Sequence, residues 1–114
     1  MPLLKLDTSV PLAEDKRVGL AKALSAITAQ AIGKPESYVM VVIGQGTLCM
    51  GGGVGPGAFV DIRSIGGLNP SVNGELARQV CALLDQELGI EANRVYLNFT
   101  DVERSNWGWD NRTF

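Results

Sequence analysis

The chain begins MPLLKLDTSVP, and Pro2 is the residue with the most unusual chemical prospect in it. A proline at the head of a strand has a bland structural reading, because a first or edge position does not need its missing N–H. Loss of Met1 would change its chemistry. The nitrogen would become a secondary amine held in a ring, whereas in the peptide bond its lone pair is delocalised into the carbonyl. An α-amino group titrates near ~7.7–8.0 in water, so such an amine would be a base for proton transfer close to neutral pH. The chain has no histidine, which removes the usual neutral-pH base and metal ligand.

Few other side chains offer chemistry. Lys34 follows the end of a helical pattern, where a solvated cation also complements the helix dipole. Tyr96 and Asn98 share the polar side of an otherwise apolar strand, which fits either inward hydrogen bonding or a binding site. Trp107, Trp109 and Phe114 crowd the last eight residues, and could plug an oligomer interface or wall an aromatic pocket. Asp7, Asp61 and Asp101 lie in or beside strands with no spacing that pairs them as acid and base. There is no GxSxG motif and no Cys-His arrangement.

Composition narrows the class. The 114 residues are 46% hydrophobic, enough for one domain spanning 1–114 with its own core. A formal charge of -2 argues against nucleic acid as a partner. Cys49 and Cys81 are 32 positions apart with no CxxC, and read as reduced thiols rather than a disulfide framework. No signal-peptide pattern and no 18-residue apolar run occurs, so a cytoplasmic protein without a membrane partner is expected.

The elements that must position these groups follow from periodicity. Residues 3–8 alternate as a strand, and residues 14–32 carry Val18, Ala21, Leu24, Ile27, Ala31 and Ile32 at helical spacing before Gly33 and Pro35. Residues 38–43 predict a buried strand. The segment GQGTLCMGGGVGPG has seven glycines in fourteen residues and lacks the GK[ST] of a phosphate loop, so it predicts a mobile or tightly turning loop. A strand at 58–62, a helix from 70 or 71 to 88 with Leu76, Val80, Leu83, Leu84 and Leu88 as its stripe, and a strand at 95–99 complete the series. The tail from 105 onward has no clear pattern.

Residues 32–43 and 88–99 repeat one order of helix end, glycine, connection and apolar strand at an offset of 56. Two βαβ units therefore predict an α/β (α+β) fold: a four-stranded main sheet with two helices on one face. The other face would carry apolar residues from among Leu3, Met40, Val42 and Phe59 or their neighbours, beside two unpaired edges. Burial of that face in a cyclic oligomer is the expectation.

The ordered motifs resemble a known family. Pro2, TSVP at 8–11, GKP at 33–35, GG at 51–52, SIG at 64–66, NRVYLNF at 93–99 and NWGWDNRTF at 106–114 are similar to the macrophage migration inhibitory factor and D-dopachrome tautomerase family, of the tautomerase superfamily. The resemblance covers nearly the whole chain. It implies a βαββαβ protomer in a homotrimer whose sheets form a central barrel. It further implies removal of Met1, and keto–enol tautomerisation of phenylpyruvate-like or dopachrome-type substrates with Pro2 as base, without metal or organic cofactor. By the same resemblance Lys34 meets the substrate carboxylate, Ser64 and Ile65 form the pocket wall, and Tyr96 and Asn98 arrive from the adjacent protomer. Trp107, Trp109 and Phe114 fall on the family's aromatic C-terminal pocket region.

Three departures from the family pattern stand out. Trp107 replaces an aliphatic residue and implies a narrower pocket mouth. Gly57-Ala58-Phe59-Val60 occupies the place of a CxxC segment, which argues against thiol–disulfide work. The lysine that follows Ser-Ile-Gly is absent, so one positive rim charge is expected to be missing. A cytokine-like, receptor-binding protein with little catalysis is the competing reading, reached if necessary by unconventional secretion.

Overall fold

Strand β1 (Pro2–Thr8) buries Pro2, Leu4, Leu6 and Thr8 and leaves the intervening Lys5 exposed, the period-2 pattern of a strand covered on one side. In the computed structural model, which describes residues 1–114, it leads into helix α1 (Glu14–Ile32) and returns as β2 (Met40–Gln45), parallel to β1. A short hairpin, β3 (Cys49–Met50) and β4 (Gly53–Val54), precedes β5 (Ala58–Ser64). Helix α2 (Pro70–Leu88) then connects β5 to its parallel neighbour β6 (Val95–Asp101), and a last hairpin joins β7 (Gly108–Trp109) to β8 (Arg112–Thr113).

The main sheet has the order β2-β1-β5-β6, with the two βαβ units meeting along the antiparallel pair β1 and β5. Both expected units and both helix ranges are present. Their helices cover one face, where a single core joins Leu4, Leu6, Val60 and Ile62 of the central strands to Leu24 of α1 and Leu84 of α2. Truncating Leu24 to Ala would cost ~2–5 kcal/mol by lost transfer energy and the cavity left behind.

Several details differ from the sequence expectation. The buried stripe of α1 is Leu20, Leu24, Thr28 and Ile32, and Val18 is 43% exposed. Thr28 enters the stripe because its hydroxyl donates to the Leu24 carbonyl at 2.7 Å, removing the cost of a buried polar group. The second strand starts at Met40 rather than 38, since Glu36–Tyr38 forms a 3₁₀ turn closed by the Val39 N–H on the Glu36 carbonyl. The glycine-rich segment turns tightly: Thr8 and Ser9 hydroxyls donate to the Gly57 and Gly55 carbonyls, and the Arg94 guanidinium donates to Pro56 at 2.7 Å. The tail forms a hairpin because Asp110 (φ 52°) and Asn111 (φ 66°) supply the two positive φ angles of a two-residue turn.

The uncovered face is mixed rather than apolar. Met40, Val42 and Phe59 are exposed on it as expected, at 62, 41 and 40%. Between them Lys5 pairs with Asp7 at 2.6 Å and Arg63 with Asp61 at 3.0 Å, so the two central strands carry charge there. Odd positions of β1 and β5 point away from the helices, which is why these charges avoid the core.

Candidate active site

Helix α1 ends at Gly33, whose left-handed φ of 76° lets its N–H close on the Ala29 carbonyl and turns the chain outward at Lys34. At the same end of the sheet, Pro2 stands opposite Ser64 across β1 and β5. Beyond Ser64 the chain turns through Ile65, Gly66 and Gly67. Asp101 holds this turn by accepting the Gly66 N–H at 3.0 Å, and the Val102 N–H donates to the Ser64 carbonyl at 2.9 Å. Gly67 lies against the end of α1: a Cβ there would come within 2.6 Å of Ile32 Cγ2 and 3.5 Å of Lys34 Cε.

These elements form a cleft of about 280 Å³ lined by Met1, Lys34, Pro35, Ile65 and Arg104 and by the aromatic residues Tyr38, Trp109 and Phe114. Trp109 organises the aromatic wall. Tyr38 meets it edge-on with centroids 6.2 Å apart, and Phe114 stacks nearly parallel at 6.1 Å. The Arg112 guanidinium covers Trp109 at 5.6 Å, and that of Arg104 covers Phe114 at 6.0 Å. A second cleft, of about 330 Å³, is also lined by Met1 and contains Pro2, Leu3, Met40 and Trp107. Met1, Tyr38 and Trp109 line both clefts.

Electrostatics favour a free amine at this end of β1. Burial, aided by the positive charge of Lys34, holds the Met1 α-amine below its ordinary pKa. An apolar site with a like charge nearby disfavours the protonated form, as a base for neutral solution requires.

The candidates fall into four groups. Pro2, Lys34, Ile65, Trp107, Trp109 and Phe114 gather around the two clefts. Ser64 is beside them but does not present its hydroxyl, which is fully buried and donates to the Gly66 carbonyl at 2.7 Å; its part is to shape the turn. Tyr96 and Asn98 are elsewhere in the same chain. Tyr96 pairs with Phe59, five residues from Ser64 along β5 and so about 16 Å away at ~3.3 Å per residue, and it lines a separate pocket with Cys49 and Met50. Asp7, Asp61 and Asp101 are engaged by Lys5, Arg63 and the Gly66 N–H.

Tyr38 and Arg104 are cleft residues that sequence patterns did not single out. Tyr38 read as the first residue of a buried strand. Arg104 lies in a polar stretch before NWGW whose 3₁₀ turn, Arg104–Asn106, has no strong local signature. It also alters an expectation: the cation missing after Ser-Ile-Gly is matched by one reaching the cleft from this turn.

The comparisons agree with this architecture. The family model described as macrophage migration inhibitory factor (MIF) matches residues 1–114. A macrophage migration inhibitory factor homolog of Brugia malayi is 38% identical over 100% of this chain and 99% of its own, and the Rattus norvegicus macrophage migration inhibitory factor is 34% identical with the same coverage. The crystal structure of a macrophage migration inhibitory factor-like protein from Entamoeba histolytica superposes with a TM-score of 0.95 at 35% identity, over 99% of this chain and 98% of that one. A homologue from Prochlorococcus marinus gives 0.92 at 38% identity, over 98% of each. With its paired βαβ units, its amine-bearing strand end and this agreement along its whole length, the chain belongs to the macrophage migration inhibitory factor family and has the tautomerase-superfamily fold.

Proposed function

We propose that the protein is a keto–enol tautomerase of phenylpyruvate-like α-keto acids, extending to dopachrome-type substrates, and that Pro2 is its base once Met1 has been removed. One observation carries this reading: the Met1 amine at the head of β1 lines an aromatic-walled cleft beside Lys34, where burial and that charge lower its basicity. Removal of Met1 frees the Pro2 nitrogen and takes away a residue that lines both clefts. Lys34 binds the substrate carboxylate, and the aromatic wall takes the ring.

The chemistry is balanced within the substrate. In ketonisation the Pro2 amine accepts the enol O–H proton, and the resulting ammonium delivers a proton to the benzylic carbon as the carbon–carbon double bond becomes the carbonyl. No electrons are gained or lost. A fixed amine within ~3 Å of each proton gives the orientation that makes a modest base effective, and the Lys34 charge favours the enolate.

The active assembly in this reading is a homotrimer. Tyr96 is 66% exposed and far from its own Pro2, so it and Asn98 complete the cleft of a neighbouring protomer. The charged strip of Lys5, Asp7, Asp61 and Arg63 then faces a central channel, while Met40 and Val42 near the edge cover the seams.

The deciding experiment is an enol–keto assay with phenylpyruvate on processed protein, Met1-retaining protein and Pro2→Gly, each verified by intact mass. Processed protein is expected to be active and the Met1 form inactive. Pro2→Gly keeps an α-amine without the constrained ring and is expected to be ~10²-fold or more slower. Equal activity with and without Met1 would overturn the mechanism. The relatives' name, macrophage migration inhibitory factor, favours a second reading as a cytokine-like, receptor-binding protein. An intact oligomer inactive in all three forms would support it.

A further inference from the structure

The basic residues of the chain are unevenly used. Six of its ten Lys and Arg side chains have partners: five pair with carboxylates, and Arg94 bonds loop carbonyls. The four with neither kind of partner are Lys22, Lys34, Arg104 and Arg112, and three of these surround the C-terminal aromatic cluster. No carboxylate side chain lines the cleft that Lys34 and Arg104 share. Lys34 and Arg104 thus stand in one apolar cleft without an ion-pair partner, where a low dielectric strengthens their pull on anions.

The two cations hold different stations. Lys34 follows the end of α1, packs near Gly67 and acts on the amine at the head of β1. Arg104 stands over Phe114 at the aromatic end, its guanidinium oriented by the ring face with its N–H edges free of protein acceptors. It has no comparable effect on the Met1 amine, which is perturbed by burial and Lys34 alone. A single carboxylate held by Lys34 next to the base therefore leaves Arg104 unused. A planar, pre-oriented guanidinium is suited to binding a second carboxylate in bidentate fashion.

We propose that Arg104 is a second anion-binding residue, and that the cleft prefers α-keto acids carrying another carboxylate at the end remote from the keto acid, across an aromatic ring or a comparable planar spacer. This rests on the tautomerase reading and narrows its substrate class. It also assigns a role to a residue outside the motifs that carry the family resemblance.

The test compares 4-carboxyphenylpyruvate with phenylpyruvate on processed wild type, Arg104→Ala and Arg104→Lys, with folding of each checked by thermal melting. The readout is the ratio of kcat/KM for the two substrates. Arg104→Ala is expected to lower that preference about 10- to 100-fold, chiefly through KM, as for the loss of a charge-assisted hydrogen-bonded pair, and Arg104→Lys is expected to restore part of it. An equal loss on both substrates, or none on either, overturns the proposal. A binding arm with 4-carboxycinnamate and cinnamate separates the two readings. If no form catalyses but Arg104→Ala selectively weakens 4-carboxycinnamate, the anion site stands and the tautomerase reading fails. Catalysis of phenylpyruvate with no Arg104-dependent preference has the opposite meaning, and absence of binding by both analogues overturns the anion site.

Discussion

Pro2 and Ser64 are register partners across the antiparallel pair of β1 and β5, and both are fully buried. The pairing joins the first strand of one βαβ unit to the last residue of the next strand before its Ile65 turn. The Pro2 end of the chain and the cleft wall are thereby fixed by sheet hydrogen bonding rather than by a mobile loop, the arrangement that the proposed proton transfer needs.

Assembly is the first consequence to measure. Sedimentation equilibrium at micromolar concentration is expected to give about three times the 12.1 kDa chain mass. A monomer mass would remove Tyr96 and Asn98 from the site and with them the shared cleft.

The pH profile of kcat/KM should have an acidic limb that reports the free enzyme's amine, below the ordinary α-amino range. The sign follows from what acts on the Met1 amine at this end of β1: burial and the Lys34 charge both disfavour an ammonium there, and the Pro2 amine exposed by loss of Met1 is expected to be shifted in the same direction. Lys34→Gln removes the smaller cause, and the limb is expected to move to higher pH while staying below the ordinary value. A limb that moves down, or does not move, contradicts this account. KM for phenylpyruvate should rise in the same variant.

Gly67 is the tightest contact behind the cleft. It adopts φ 82°, and an added Cβ would meet Ile32 Cγ2 at 2.6 Å and the Ile32 carbonyl at 3.2 Å. Gly67→Ala is expected to destabilise by about 1–3 kcal/mol through overpacking, with backbone strain adding to it. Chemical denaturation measures this directly, and an unchanged midpoint would show that the turn is looser than its packing indicates.

The thiols should behave independently. Cys49 is exposed on the β3 hairpin, whereas Cys81 on α2 is partly covered and burial pushes its thiol pKa up. A thiol reagent at neutral pH is expected to label Cys49 several-fold faster than Cys81 by mass spectrometry. Insulin-reduction activity should be negligible, and a substantial activity lost in the Cys49→Ser, Cys81→Ser double variant would contradict that.

Much of the fold was legible in sequence because its signals are local. Gly33 and Gly89 end the helices, Asn69 caps α2 by accepting the Val72 N–H, and the 56-residue repeat foretells two βαβ units whose crossovers have one favourable hand. Pro2 stands out in sequence for a similar reason, since the secondary amine that loss of Met1 would expose is a property of one residue.

What tertiary structure decided are the relationships between distant segments. Only the register of β1 on β5 brings Pro2 to Ser64, and only the close packing at Gly67 brings the Ile65 turn against Lys34. Arg104 and Tyr38 became cleft residues because two short 3₁₀ turns and a tail hairpin converge there, and turns of that length carry little periodicity to read. Conversely, the alternation that put Tyr96 and Asn98 on one side of β6 is a strictly local fact. Where that side faces depends on strand order, which places Tyr96 about 16 Å along the sheet from the Pro2–Ser64 pair. Local sequence sets the element and its faces, whereas the meeting of faces is a long-range choice made by packing and pairing.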